Sequence, residues 1–347
     1  METESLLGKT IDDIKKIVVS ATGQEEHAIE IAKWIYRKGA STFDEMNTIP
    51  LALRKKLDKV FSIGKYNPIQ VCESKDKTRK YLYKNQSGQQ FESVYMPSPK
   101  RNTLCISTQS GCRMGCAFCL TGKIGFKGNL LAMDILNQYL SIHERKKINR
   151  IVIMGMGEPF DNFNEVKNAV KILTAEWGAA FGASNITLST VGLHESLREF
   201  LEKPFCNLAV SLNNPFSDER KSLMPIESTN PIAEAVNFIK QKPLKKPLRV
   251  SFEYVALSGV NTYKRHAIAI AQMLSGINYH LNIIPWNGHE KSSFKPPSDI
   301  ELNAFIDCLN QEGILTAVRQ SRGQDIGAAC GQMAGESKNL KEKRVGD

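Results

Sequence analysis

Long apolar runs are missing from this 347-residue chain. No stretch of eighteen consecutive apolar residues occurs, which argues against a membrane-spanning helix. The N-terminal segment METESLLGKTIDDIKK has no apolar core of the kind a secretory leader needs. Histidine is scarce, at six residues, so a histidine-rich metal site has little to draw on. Cysteine is also sparse, with eight in all. Nothing else in the composition marks a secreted chain stapled by disulfides. A reducing, cytoplasmic setting fits better, and there clustered cysteines point to metal binding or catalysis.

What is present describes a folded chain. Hydrophobic residues make up 41% and charged residues 24%, enough for one large domain and a smaller one. Basic residues outnumber acidic ones, 46 to 36, giving a formal net charge of +10. That surplus suits a polyanionic partner such as RNA. No internal repeat emerges.

Three compositional regions follow one another before a polar tail. Residues 1–65 read as a small helical domain. Thr10 and Asp13 form a capping-box pair. The segment HAIEIAKWIYRKG places Ile29, Ala32, Ile35 and Tyr36 on one face and stops at Gly39. A third helix follows Pro50. Lys33, Arg37, Lys38, Arg54, Lys55 and Lys56 give this module basic faces, so it is either a packing accessory or an RNA-docking element. Residues 66–100 change to the alternation of strands, in PIQVCES, RKYLYK and FESVYMP, and read as an antiparallel extension. From 101 to 335 strands alternate with helices. Strands are expected at 103–107, 150–155, 185–189, 207–212, 249–255, 279–284 and 314–319. The intervening helices are expected at 131–144, 162–176, 231–241, 262–274 and 298–312. This alternation demands parallel strands and an α/β sheet, open or curled into a partial barrel. Residues 336–347 are expected to fray. Cys72, Cys206 and Cys308 fall in strand or helix patterns and read as structural.

Ligands gather beyond the carboxyl ends of parallel strands. Here those ends lead to CRMGCAFC, GMGEP, STVG, SLNN, PWNG and RQSRGQD. The cysteines at 112, 116 and 119 have the spacing C-x3-C-x2-C. Thiolates suit iron–sulfur clusters or zinc, and a distant fourth residue still leaves zinc open. The glycines of GMGEP permit close backbone approach to a ligand. Glu158 within it is suited to an ammonium group.

Three cysteines so spaced, with an aromatic residue before the last, resemble the signature of the radical S-adenosylmethionine (SAM) superfamily. That resemblance implies a 4Fe–4S cluster on Cys112, Cys116 and Cys119. Its open iron would take SAM and release a 5′-deoxyadenosyl radical. It also implies SAM contacts from Gly157, Glu158, Ser189, Ser211, Asn213 and Asn287. The likeness is more specific. FESVYMP, TLC-x6-C-x3-C-x2-C, GMGEP, ITLST-x-G, IPWN, RQSRGQDI and AACGQ occur in this order across almost the whole chain. They resemble the radical SAM adenine-C2 RNA methyltransferases, which act on large-subunit (23S) rRNA and in many bacteria on tRNA. Relatives that confer antibiotic resistance methylate C8 of the same ribosomal adenine.

The resemblance implies a partial (β/α)6 radical SAM barrel with an N-terminal helical domain and a β extension. It implies two SAM molecules per turnover. Cys330 would be the S-methylcysteine, Cys105 the thiol that resolves a protein–RNA crosslink by forming a disulfide, and Glu92 the acid/base. An electron donor such as flavodoxin or ferredoxin is implied, and the chain is expected to act as a monomer. The alternatives are a C8 methyltransferase on the same scaffold and a non-catalytic, cluster-bearing RNA-binding protein. One departure stands out: SLNNP at 211–215 replaces the family's SLHAP, so Asn213 occupies a histidine position. Lys77, Arg79, Lys80, Lys100, Arg101, Arg113, Lys123, Lys127, Arg319 and Arg322 are candidates to meet phosphates. Phe118, Phe126 and Trp286 are candidates to stack on a base, with packing as their default role.

Overall fold

A computed structural model describes residues 3–335 other than Gln24 and Glu290. The tail at 336–347 lies outside the described residues. The first strand, β1 (Glu4–Ser5), pairs with β2 (Phe61–Ser62), and between them lie helices α1 (Ile11–Thr22), α2 (Ala28–Lys33) and α3 (Leu51–Asp58). The capping box forms as the sequence requires: Thr10 N–H donates to Asp13 Oδ2 (2.9 Å), and Asp13 N–H donates to Thr10 Oγ1 (3.3 Å). The α2 helix widens into a π turn at Trp34–Lys38 and stops at Gly39, whose φ is +76°. Ala32, Ile35 and Tyr36 are buried, but Ile29 is 47% exposed. The buried stripe is Ala28, Ile31, Ala32 and Ile35. Ile29 lies about 100° around the helix from Ala28, off that stripe.

The expected β extension is continuous with the main sheet. Strands β3 (Gln70–Glu73), β4 (Arg79–Lys84) and β5 (Gln90–Met96) are antiparallel, and β5 pairs with β6 (Thr103–Cys105), placing Val94 opposite Cys105. A hairpin, β7 (Gln109–Gly111) with β8 (Phe126–Asn129), brackets the cysteine loop and the short helix α4 (Leu120–Lys123). Then come α5 (Ala132–Leu140), β9 (Arg150–Ile153), α6 (Phe163–Thr174), β10 (Ile186–Thr190), α7 (His194–Glu202), β11 (Asn207–Ser211), α8 (Ser217–Leu223), α9 (Ile232–Gln241), β12 (Val250–Ala256), α10 (Lys264–Leu274), β13 (Tyr279–Pro285), α11 (Asp299–Gln311) and β14 (Thr316–Val318).

All seven expected parallel strands form, each hydrogen-bonded to its successor from β6 through β14. Strand order follows chain order, so the sheet is singly wound, as in a barrel, and lacks the reversal of a doubly wound sheet. The six strands β6 and β9–β13 correspond to the (β/α)6 unit, with β14 as a short seventh. Leu188, Leu208, Val210 and Phe252 are fully buried, as strands covered on both faces should be. One contiguous core joins Ile14, Ile31 and Tyr36 of the helical module to the sheet. Cys206 is buried, whereas Cys72 and Cys308 are half-buried. Among the described residues, no helix is long and apolar enough to cross a membrane.

Candidate active site

The carboxyl ends of the parallel strands carry the candidate residues. The loop holding Cys112, Cys116 and Cys119 leaves β7 at Gly111 and enters α4, with Cys119 as the N-cap residue. Gly111 has φ +73°, and a Cβ there would lie 1.8 Å from the Gly125 carbonyl oxygen, so only glycine closes this hairpin. Burial pushes the Cys112 thiol up to about 12, with the nearby Glu158, Cys119 and Asp161 adding to the rise. Burial also raises Cys116 well above the usual thiol range, reinforced by Cys119 and Cys112. Among the described residues, no three His, Cys, Asp or Glu side chains converge tightly enough for a single metal ion. A cubane cluster distributes its thiolates over separate irons, and a soft, three-thiol set fits that group.

GMGEP lies against this loop. Gly157 has φ +100°, and a Cβ would come within 2.5 Å of Gln109 Cβ. Glu158 is buried. Its Oε1 accepts from Phe160 N–H (3.0 Å) and its Oε2 from Val191 N–H (2.9 Å), which clasps the end of β10. Desolvation lifts its carboxyl to about 7, against hydrogen bonds from Thr190, Val191 and Phe160. A carboxylate has about four acceptor positions, so two backbone donors do not exhaust it.

Ser189 is half-buried on β10, and Ser211 ends β11. Asn213 is buried with φ +56°, a backbone region asparagine tolerates better than most residues. Its Oδ1 accepts from Val255 N–H (2.8 Å), its Nδ2 reaches Met224 Sδ (3.1 Å), and its carbonyl accepts from Asn261 Nδ2 (2.7 Å). The side chain thus ties the end of β11 to β12. Asn287 holds the Cys330 segment: its Nδ2 donates to the Cys330 carbonyl (3.2 Å), and Gln324 Nε2 donates to its Oδ1 (2.8 Å).

A cavity of about 140 Å³ is lined by Cys105, Cys119, Gly155, Asn287, Arg319 and Cys330, among others. It brings the proposed methyl-handling pair to the edge of the cysteine loop. Cys105 is buried, whereas Cys330 is exposed at the cavity wall. Desolvation raises both thiols, and the charge of Cys330 adds to the rise at Cys105. Leu120 N–H donates to the Gly331 carbonyl (2.8 Å), and Thr121 Oγ1 donates to the Met333 carbonyl (2.8 Å). These bonds dock the Cys330 segment on α4. All eight cysteines are free thiols, so a Cys105–Cys330 disulfide is not a structural bond of this fold.

Glu92 is not among the cavity-lining residues. It lies beneath the C-terminal segment, with Ala334 N–H donating to Oε2 (3.1 Å) and Lys80 Nζ 3.0 Å from Oε1. Desolvation raises its carboxyl, opposed first by Lys80. Lys80 is therefore committed to this buried pair and is not free to meet a phosphate. Arg79 likewise pairs with Glu73 and Glu144, and Arg113 with Asp161. Arg319 and Arg322 do reach the cavity. Phe118 and Trp286 are packed, with Trp286 Nε1 donating to the Phe118 carbonyl (2.8 Å). Phe126 is 37% exposed, under the Arg113 guanidinium.

Residues 106–269 match the radical SAM superfamily, and residues 5–63 match the ribosomal RNA large subunit methyltransferase N-terminal domain. The "Probable dual-specificity RNA methyltransferase RlmN" of Parabacteroides distasonis is 42% identical over 335 residues, covering 96% of this chain and 97% of that protein. This chain belongs to the RlmN family of radical SAM RNA methyltransferases. The "Dual-specificity RNA methyltransferase RlmN" of Geobacter sulfurreducens, 37% identical over 339 residues, covers 98% of this chain and 94% of its own. A crystal structure of a radical SAM methyltransferase from Sphaerobacter thermophilus superposes with a TM-score of 0.89 at 36% identity, covering 96% of this chain and 100% of that one. RlmN-type sequence thus runs through the helical module, the β extension and the barrel alike.

Two site elements escaped the sequence reading. One is α8, whose Leu223 carbonyl accepts from Ala117 N–H (2.8 Å) inside the cysteine loop. The other is the buried Arg220 on that helix. Its sequence, SDERKSL, reads as a solvated polar turn.

Proposed function

We propose that this RlmN-family chain methylates C2 of an adenosine in large-subunit rRNA, and in tRNA, with the methyl group carried on Cys330. The observation that supports this is the shared cavity of Cys105, Cys119 and Cys330. Cys112, Cys116 and Cys119 would hold a 4Fe–4S cluster, and Gly157, Glu158, Ser189, Ser211, Asn213 and Asn287 would border the SAM site. When bound there, cluster and SAM supply a 5′-deoxyadenosyl radical.

The chain's own residues do the rest. Adenine C2 is electron-poor, so a direct polar methyl transfer to it is unfavourable. Cys330 instead accepts a methyl group as a thiolate and presents that carbon to the base. Cys105, across the cavity, then attacks the Cys330 sulfur as a thiolate: the S–S bond forms as the sulfur–methylene bond to the nucleotide breaks, the electron pair leaves into the base as an enamine, protonation of its methylene carbon completes the methyl group, and a thiol reductant reopens the disulfide. Glu92 would serve as acid/base once the Ala334 contact opens, since a proton-transfer group must reach the base directly or through water. The flipped nucleotide enters past Arg319 and Arg322, and the N-terminal module contacts flanking RNA. An external one-electron donor of the flavodoxin or ferredoxin kind is required, and the free thiols suit a reducing, cytoplasmic setting.

Incubation with methyl-labelled SAM tests this, followed by mass spectrometry of the peptide containing Cys330. Label on Cys330 is expected. A Cys330→Ala protein should lose all methylated RNA while still cleaving SAM reductively. Methylated RNA from that variant would refute the covalent route.

A further inference from the structure

Arg220 is the only lysine or arginine with no exposed surface among the described residues. Its charge is fixed, because a guanidinium does not deprotonate in proteins. Its Nε donates to the Leu212 carbonyl (2.9 Å), and its Nη2 donates to the Val191 (3.1 Å) and Ser211 (2.9 Å) carbonyls. Its Nη1 pairs with Glu227 Oε2, which also accepts from Ile232 N–H (3.0 Å). The guanidinium thus closes the ends of β10 and β11 from below. Val191 is held from both sides, its N–H by Glu158 and its carbonyl by Arg220.

The helix carrying Arg220 forms the floor of the cysteine loop. Leu223 and Met224 pack in one cluster with Cys112, Cys116 and Cys119. Arg220 sits about one helical turn before Leu223, whose carbonyl accepts from Ala117 N–H (2.8 Å), the residue next to Cys116. A buried ion pair is a poor device for stability alone, because desolvation offsets its attraction. Its cost calls for another explanation here.

We propose that Arg220, held by Glu227, is a positioning cation for the three-cysteine site, bracing the strand ends beneath the loop and raising the reduction potential of the cluster bound there. Cluster potential responds to net local charge. Reduction adds an electron, so a fixed positive charge nearby favours the reduced form. The inference rests on the cluster assignment above and adds to it the source of the compensating charge.

The test uses full-length wild-type protein, Glu227→Gln, and the double variant Arg220→Gln/Glu227→Gln. Each is reconstituted anaerobically, assayed for iron and sulfide, and titrated for cluster reduction potential without RNA. Glu227→Gln leaves the cation uncompensated, so its potential should shift upward. The double variant removes the cation without stranding a buried carboxylate, so its potential should shift downward. Unchanged potentials, or shifts of the same sign, overturn the proposal, because a purely structural brace has no reason to produce opposite signs. If the double variant fails to fold, the sign for Glu227→Gln decides alone: upward supports the proposal, and unchanged or downward refutes it. Failure of the wild-type protein to assemble any cluster would instead refute the cluster assignment, and this inference with it.

Discussion

Cys105 and Cys330 share a cavity, with Cys105 buried and Cys330 exposed, and desolvation raises both thiols. Their reactivity depends on what enters the cavity. Removing Cys105 should stop the reaction after the carbon–carbon bond forms: Cys105→Ala is expected to accumulate a protein–RNA crosslink, visible as a shifted band on denaturing gels. Asn213 shows how a residue's type and its duty can be read differently. From sequence it is a lost histidine in a SAM-contacting position. In the structure its amide satisfies Val255 N–H from a left-handed backbone conformation. Asn213→Ala orphans that donor, at a cost of about 1–3 kcal/mol, and strains the backbone. Asn213→Gly forgoes the hydrogen bond but relieves the strain, so it should lose less. Denaturant unfolding measures both, and equal stability of Asn213→Ala and wild type would contradict the clamp.

The strands were legible because their apolar runs alternate with helical periodicity, and the glycine-rich ends of those strands pointed to where the candidate residues gather. Short polar elements were not. The α7 helix (HESLREFLE) and α8 (SDERKSL) carry few apolar residues, and the second is only seven long. Their roles depend on neighbours that are distant in sequence. On α8, Glu219 shows this: its oxygens meet the His266 ring (2.9 Å), Arg265 Nη1 (2.6 Å) and Asn214 Nδ2 (2.9 Å). Burial pushes its carboxyl upward, but the hydrogen bonds from His266, Arg265 and Asn214 outweigh this and hold it at about 2. A carboxyl depressed from 4.5 in the folded state stabilises the fold above pH 4.5. That contribution is lost as pH falls toward 2. Because Glu219 is one-third exposed, solvent screening keeps the effect within about 1 kcal/mol. Glu219→Gln should therefore lower the melting temperature slightly at pH 6 and leave it nearly unchanged near pH 2. An equal loss at both pH values would contradict the charge argument.

Across the whole molecule, the β extension and the barrel share one ten-stranded sheet, and the helical module, with its own two-stranded sheet, joins them in one core. Arg145 donates to the Arg37 (2.8 Å) and Lys38 (2.6 Å) carbonyls, and Tyr36 meets Trp177 edge-on at 6.1 Å. These contacts fix the N-terminal module against the barrel. The sequence periodicity changes at the borders of the expected regions, but it carried no sign of how closely they merge. It also could not reveal that Lys80 and Arg79 serve buried or partly buried ion pairs, since a basic residue looks the same in sequence whether its partner is a carboxylate or a phosphate. The central claim is that this scaffold delivers a methyl group to adenine C2. The direct measurement reconstitutes the cluster anaerobically, supplies a one-electron reductant, SAM and unmodified rRNA or tRNA, and identifies the product nucleosides by mass spectrometry. 2-Methyladenosine is the expected product; 8-methyladenosine, or no methylated adenosine from cluster-replete protein, would contradict methyl delivery to C2.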